Sequence, residues 1–309
     1  MAIESLWVEK YRPQTVTDYV WRDHAQHDQV MQWVAAKQIP HILLSGSPGT
    51  GKTTLARVLI RELDVEDLDV LHINASRDNS VDFIRNKIEN FVSTMPFGEF
   101  KVVLLDEADY LTPNAQAVLR GLMESAHNTA RFVLTCNYPN KIIPALHSRC
   151  QGFHIEKLDS TEFTARAAII LVTENVEFDI DALDSYVKAS YPDLRKCINS
   201  LQAASVDHQL QAVSKDAAGL SDYKLQAVEL FKAGRIRDAR KLICSQVRAD
   251  EIDDVFRWMY DNLDLFSETV EGQDKAIIII RNGLVNHGMV ADAEINLSAT
   301  LIELAGING

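Results

Sequence analysis

GSPGTGKT, Gly46 to Thr53, follows the apolar run HILLS and leads into KTTLARVLIREL. It fits G-x-x-x-x-G-K-[ST], a loop whose successive backbone N–H groups wrap phosphates while Lys52 reaches the β and γ oxygens and the Thr53 hydroxyl ligates Mg²⁺. Gly46, Ser47, Pro48, Gly49, Thr50, Gly51, Lys52, Thr53 and Thr54 are therefore the candidate nucleotide-binding stretch. The flanks argue against a chance match. HILL reads as a buried strand entering the loop, and Leu55, Val58, Leu59 and Leu63 recur at helical spacing behind it. That strand, loop, helix order is what the phosphate cradle requires.

The chain has 309 residues, 47% hydrophobic and 24% charged, which suggests two or three globular domains. No stretch approaches the ~20 apolar residues of a membrane span, and MAIESLWVEKYRP lacks the basic flank and apolar run of a signal peptide. No membrane partner is expected. Cys136, Cys150, Cys197 and Cys244 are far apart, without a C-x-x-C pair, so reduced thiols are expected and no cysteine metal site. A net charge of −13 argues against a protein that coats itself in nucleic acid, though not against a local basic stripe.

Up to about residue 156, helical patterns alternate with the apolar runs HILLS, VLHINA, KVVLLD, RFVLTC and GFHIE. Five such runs between helices predict an α/β domain with a parallel sheet covered on both faces. Thr112 and Pro113 predict the N-cap and first turn of the helix PNAQAVLRGLMES. From 157 to 218 the strand signal stops, and STEFTARAAIILV and YPDLRKCINSLQAAS read as helices. From 219 to 309 every segment reads as amphipathic helix, including SDYKLQAVELFKAGRIRDARKLI. The expected layout is thus 1–156, an α/β nucleotide-binding domain; 157–218, a small helical domain; and 219–309, a larger helical one.

KVVLLDEAD, Lys101 to Asp109, is an apolar strand ending in acid. Asp106 is placed to hold Mg²⁺ beside the loop, and Glu107 to orient and deprotonate an attacking water. The plainer alternative is that these acids cap the following turn. RFVLTCNYP leaves Asn137 at the same sheet edge, where its amide suits the γ-phosphate; without that setting, Asn before Tyr-Pro is a turn residue. HSRC contains Arg149, either a surface ion-pair partner or a guanidinium for developing phosphoryl charge, supplied by a neighbouring subunit.

In this order WVEKYRP, GSPGTGKT, DEAD, TCNYP, SRC and YPDLRK resemble the ATPase subunits of sliding-clamp loaders, the replication factor C small-subunit and tailed-phage type within the AAA+ superfamily. The resemblance is dense over residues 7 to about 205 and thin beyond. YPDLRK looks more like the phage branch than the cellular GDLRR form. The resemblance implies a AAA+ P-loop domain, a helical lid and an all-helical collar, with ATP and Mg²⁺ as cofactors. Tyr11, Arg12, Pro13 and Val20 would lie by the adenine, and Lys52, Thr53, Asp106 and Glu107 would act as above. Asn137 would be the first sensor, Arg195 the second, and Arg149 the finger inserted into the next subunit's site.

In the resembled family the helix of NASRDNSVDFIRNKIENF tracks the duplex backbone, which would give Asn79, Ser80, Arg85 and Lys87 to DNA phosphates. Arg85 with Glu89 at i,i+4 is equally an ordinary solvated ion pair. The family usually shows NASDERGID here, so RDNSVD departs from it. AQAVLRGLMES keeps Gln116 and Arg120 as coupling residues but has Gly121 where a second Arg is usual. DYVWRDHA lacks the usual Gly-Gln. Met95, Pro96 and Phe97 either touch the clamp or pack under a loop.

The expected function is ATP-dependent opening of a sliding clamp and its loading onto primer-template DNA, with hydrolysis releasing the clamp. Expected partners are the clamp, a second and different loader subunit, DNA through its backbone, and copies of the chain in a pentameric ring. The expected location is the cytoplasm, the host's for a phage protein, with a nucleus open for a cellular homologue. The rivals are a AAA+ DNA-remodelling or branch-migration motor, which should carry a separate DNA-binding module, and a structural loader subunit that binds ATP without hydrolysing it.

Overall fold

The computed structural model describes residues 6–155, 157–211, 223–247, 251–267, 269–287, 289–290 and 292–308. They form two compact units, Met1–Arg166 with Pro192–Arg195, and Ala167–Tyr191 with Lys196–Gly309. In chain order the first elements are α1 (Trp7–Lys10), α2 (His24–Ala36), β1 (Ile42–Ser45), α3 (Lys52–Glu62), β2 (Val70–Asn74), α4 (Val81–Val92), β3 (Lys101–Asp106), α5 (Pro113–Ser125), β4 (Ala130–Cys136), α6 (Pro144–His147) and β5 (Gln151–His154). They are followed by α7 (Ser160–Thr173), α8 (Ile180–Ser190), α9 (Leu194–Ala204), β6 (Ser205–Val206), β7 (Gln209–Leu210), α10 (Tyr223–Lys232), α11 (Ile236–Gln246), α12 (Ile252–Asp261), α13 (Val270–His287) and α14 (Ala293–Ala305).

All five expected runs become strands of one parallel sheet, in the order β2-β3-β4-β1-β5. The central strands are apolar through their middles because both faces are covered, and Ile42, Leu44, Val102, Val103, Leu105 and Phe132 have no more than trace exposure. On one face Leu43, Val103, Leu105 and Leu134 pack with Ile84 and Ile88 of α4 and Leu119 and Met123 of α5. Leu55, Ala56 and Leu59 of α3 are fully buried, and that helix lies against β1, β3 and β4. Thr112 caps α5, its hydroxyl accepting from Ala115 N at 3.2 Å, with Pro113 in the first turn.

This strand order decides the chemistry. β4 lies between β1, which delivers the phosphate loop, and β3, which delivers Asp106. The residues ending β4 are thereby held between loop and acid, at the carboxyl edge where open parallel sheets bind ligands.

Two details of the helical regions differ from expectation. Residues 157–218 were expected to carry no strand, yet β6 and β7 pair antiparallel around Asp207 and His208, at φ 50° and 59°. Two left-handed residues make the tight hairpin turn, and strands of two residues are too short to leave a period in the sequence. The run 221–243 breaks at Gly234, φ 68°, where Arg235 N bonds Leu230 O and Gly234 N bonds Phe231 O. That left-handed glycine ends α10 and starts α11. Elsewhere in the second unit α8 packs on α10, α11 on α14, and α12 and α14 on α13. At Gly283 an added Cβ would lie 2.3 Å from Thr300 Oγ1 and 2.7 Å from the Phe256 ring, so glycine permits the close crossing.

Candidate nucleotide site

The loop's backbone is shaped by its glycines. Gly46, Gly49 and Gly51 have φ of 149°, 76° and 90°, where side-chain-bearing residues are strained. A Cβ on Gly46 would strike Ile155 O at 1.9 Å, and one on Gly49 would strike the Asp193 carboxylate at the same distance. Gly51 caps α3, so the loop ends on a helix N-terminus that favours anions. Thr50 Oγ1 donates to Ser47 O at 2.9 Å, and Lys52 Nζ donates to Gly46 O and Ser47 O at 2.9 and 2.7 Å. Donors and curvature both fit a polyphosphate.

Across from the loop, Thr53 Oγ1 donates to Asp106 Oδ1 at 2.7 Å, and Thr135 Oγ1 donates to the same oxygen at 2.5 Å. Thr135 also accepts from Glu107 N at 3.0 Å. One β4 hydroxyl therefore fixes both acids of the neighbouring strand end. Burial would push the Asp106 carboxyl up, but the His72 imidazole, 3.9 Å away, and the Thr135 and Thr53 hydroxyls hold it down at about 2. It is a carboxylate at every physiological pH. Among the described residues no group of three or more His, Cys, Asp or Glu side chains converges to cage a metal. The Thr53 hydroxyl and Asp106 carboxylate nevertheless suit Mg²⁺, a hard ion that draws its other ligands from phosphate and water.

Glu107 has φ 58°, a left-handed backbone uncommon outside glycine, and begins the short turn Ala108–Tyr110. Strain of this kind gathers at functional sites, and here it turns the chain sharply at the acid. Asp109, buried in that turn, accepts from Asn137 N at 3.3 Å and Tyr138 N at 3.2 Å. Thus the loop carrying Asn137 is pinned to the acidic motif through its backbone.

Burial pushes Lys52 down to about 8, with Cys136, Asp109 and Asp106 opposing that shift and the Arg195 charge adding to it. Arg195, exposed at the start of α9, and Asp193, against Gly49, thus lie close to the loop. The consequence for binding follows from linkage. Lys52 must be charged to meet phosphate, and the complex holds that proton more tightly than the free site does. ATP affinity should therefore be level below about pH 7 and weaken as pH rises through about 8, by up to about tenfold per unit until the complex itself deprotonates. Equilibrium binding of a fluorescent ATP analogue from pH 6.5 to 9.5 checks this, and a flat profile would contradict it.

On the amino-terminal side Tyr19 reaches the loop, its hydroxyl donating to Thr50 O at 3.2 Å and its ring standing 3.1 Å from a Cβ on Gly51. Burial raises its phenol, which stays a neutral donor. Val20 is buried beside it, and Tyr19 and Trp21 line a cavity of about 510 Å³ that also meets Arg22, Asp159 and Glu162. Arg12 pairs with Glu9 at 2.5 Å, the Tyr11 carbonyl accepts from Arg166 at 2.9 Å, and Pro13 is half-buried. Tyr19 and Thr135 were both missed, Tyr19 because DYVWRDHA departs from the resembled family and Thr135 because in TCNYP only Asn137 was given a role.

The remaining candidates lie away from the loop. Gln116 is buried; its amide donates to Leu111 O and Lys141 O at 3.1 and 3.0 Å and accepts from Ile143 N at 2.8 Å, tying α5 to the segment before α6. Arg149 donates to Ala145 O at 3.0 Å and pairs with Glu124, which also accepts from Arg120 at 3.3 Å. Ser80 caps α4, and Asn79, Arg85 and Lys87 are exposed. Where the alternative reading paired Arg85 with Glu89, Arg85 lies 4.0 Å from Asp82, a residue one turn earlier on the same face. Met95 and Phe97 are 80% and 75% exposed rather than packed under a loop. The four cysteines are free, and burial pushes Cys136 and Cys150 up to about 12, which removes them as nucleophiles.

With β4 inserted between the loop strand and the acidic strand, the first unit is a P-loop ATPase module. Residues 42–157 match the family model described as ATPase family associated with various cellular activities (AAA). The replication factor C small subunit of Staphylothermus marinus is 37% identical over 98% of this chain and 95% of its own length. That of Sulfurisphaera tokodaii is 36% identical over the same shares. The chain therefore belongs to the replication factor C small-subunit family. Among solved structures, the RuvB Holliday junction branch migration motor of Thermotoga maritima superposes with a TM-score of 0.57 over 81% of this chain and 90% of the other, at 18% identity, which is a likeness of fold. No helix among the described residues is long and apolar enough to cross a membrane.

Proposed function

We propose that this chain is an ATPase subunit of a sliding-clamp loader, using ATP with Mg²⁺ to open a clamp and place it on primer-template DNA, with hydrolysis releasing the clamp. The observation that carries the reading is the join at the sheet edge, where Thr135 binds both Asp106 and Glu107 beside the Thr53 hydroxyl. A subunit that only holds nucleotide has no need of a glutamate whose backbone is fixed in a left-handed turn at that point. In this reading the loop and Lys52 hold phosphates, Asp106 and Thr53 hold Mg²⁺, and Glu107 takes the proton of the attacking water. Asn137 and Arg195 sense the γ-phosphate, and Arg149 reaches the site of the next copy.

The exposed cap of α4, with Asn79, Ser80, Arg85 and Lys87, suits phosphate contacts without base reading. Asp69 accepts from both Phe97 N and Gly98 N at 2.7 Å, which holds the exposed Met95 to Phe97 turn as an apolar projection for the clamp. Residues 157–218 and 219–309 would serve as lid and collar. Ile278 and Val285 on α13 and Ile295 and Ile302 on α14 stay exposed, as a collar joining copies and a different partner subunit in a pentamer would require. Gln116 and Arg120 would couple the DNA-facing and nucleotide-facing sides.

Steady-state ATP hydrolysis by the assembled complex, with and without primer-template DNA and clamp, tests the reading. Turnover should rise strongly only when both are present. Stimulation by DNA alone, indifferent to every clamp, would favour the branch-migration motor instead.

A further inference from the structure

Glu124 stands in the last turn of α5. Its Oε1 accepts from Arg120 Nε at 3.3 Å and from Arg149 Nη2, while Arg149 Nη1 donates to Ala145 O at 3.0 Å. The hydrogen bond from Arg120, then the bond and charge of Arg149, hold the Glu124 carboxyl below its usual range. A long arginine side chain is thereby fixed at two of its donors, one on the last turn of α5 and one on a carbonyl within α6. Arg149 also lines a cleft of about 520 Å³ whose walls include Arg131, His127 and His41 and no carboxylate. Burial and the Arg131 and His127 charges push His41 down to about 4, so it is neutral there, and its Nδ1 accepts from Phe132 N.

We propose that Glu124 is a positioning residue for Arg149, clamping the guanidinium against Ala145 and alongside Arg120, so that its remaining N–H groups are preset for the terminal phosphate of a nucleotide held by a neighbouring copy. This rests on the reading of Arg149 as the finger acting on that copy. The chemistry favours positioning over sequestration. Guanidinium carries five N–H donors, of which the carboxylate and the carbonyl use two. Two arginines sharing one carboxylate also leave a net positive cluster, still attractive to phosphate, whereas a one-to-one pair would be neutral. Fixing the fork in advance removes the rotamer freedom it would otherwise lose on meeting phosphate.

The test uses the assembled native complex carrying wild-type chain, E124A, E124Q, R149A or the E124A/R149A pair, with turnover at saturating ATP, equilibrium ATP binding and assembly mass measured for each. E124A should lower kcat by about tenfold, with ATP affinity and mass unchanged. E124Q keeps an acceptor oxygen and should recover most of the loss, and if E124A does not assemble this variant decides, with a drop of about threefold expected. In the double variant the rate should equal that of R149A alone, since Glu124 acts through that residue. Turnover at or above wild type in E124A would mean that Glu124 restrains the finger, and multiplied losses in the double variant would mean that it acts elsewhere; either overturns the proposal. An R149A complex as fast as wild type would sink the finger reading itself, and the positioning role with it.

Discussion

Glu107→Gln should reduce ATP turnover by about 10²–10⁴-fold, the usual contribution of a positioned general base, while ATP-dependent binding of DNA and clamp persists. The amide matches the carboxylate in shape but cannot take a proton from water. The structure gives reasons to expect no wider damage. The contact that fixes this turn is made by the backbone, Glu107 N donating to Thr135 Oγ1 at 3.0 Å, and the φ of 58° is one that Gln can adopt as Glu does. The phosphate loop, Lys52 and Asp106 remain as they are, so nucleotide affinity should stay within about threefold. Single-turnover hydrolysis and equilibrium binding, measured on the same preparation, separate the two effects. Turnover within about threefold of wild type would assign the base elsewhere and support a subunit that holds ATP without hydrolysing it.

The fold was legible because buried parallel strands are apolar on both faces, so that HILLS, KVVLLD and RFVLTC stand out as runs and need no alternation to be recognised. Lys52, Thr53 and Asp106 were legible for another reason: backbone geometry and ion chemistry demand those residue types at local spacings. What escaped depends on strand order and on chain segments far apart in sequence. Thr135 meets Asp106 from 29 positions away, and becomes visible only when β3 and β4 are known to be neighbours in register, Leu105 opposite Leu134. Tyr19 reaches Thr50 across 31 positions from a segment whose sequence departs from the resembled family. Glu124 reads from sequence as a surface acid one turn from Arg120, and its bond to Arg149 spans 25 positions. The short hairpin at Asp207 and His208 was missed because local turn conformation, not periodicity, makes it.

Arg149→Ala should lower turnover of the assembled complex by about 10³-fold or more, in the range that phosphoryl-transfer arginine fingers supply. Loss alone does not say which site the arginine serves, but mixing does. A complete site in the proposed arrangement needs Glu107 from the copy that holds the nucleotide and Arg149 from its neighbour. An assembly built only from Glu107→Gln copies lacks the base everywhere, and one built only from Arg149→Ala copies lacks the finger everywhere. Co-assembled in equal amounts, an Arg149→Ala copy holding ATP beside a Glu107→Gln neighbour presents both groups, so about one quarter of sites of this chain should be complete by random placement in a closed ring. Two nearly inactive proteins should then regain a measurable fraction of wild-type turnover, rising with the extent of subunit exchange. If Arg149 serves the nucleotide of its own chain, every site in the mixture still lacks one group and the activity stays at the level of the parents. The pairing of Arg149 with Glu124, rather than with Asp106 or Glu107, is the geometric reason to expect recovery, because it and the bond to Ala145 O order the guanidinium by contacts separate from the chain's own phosphate loop.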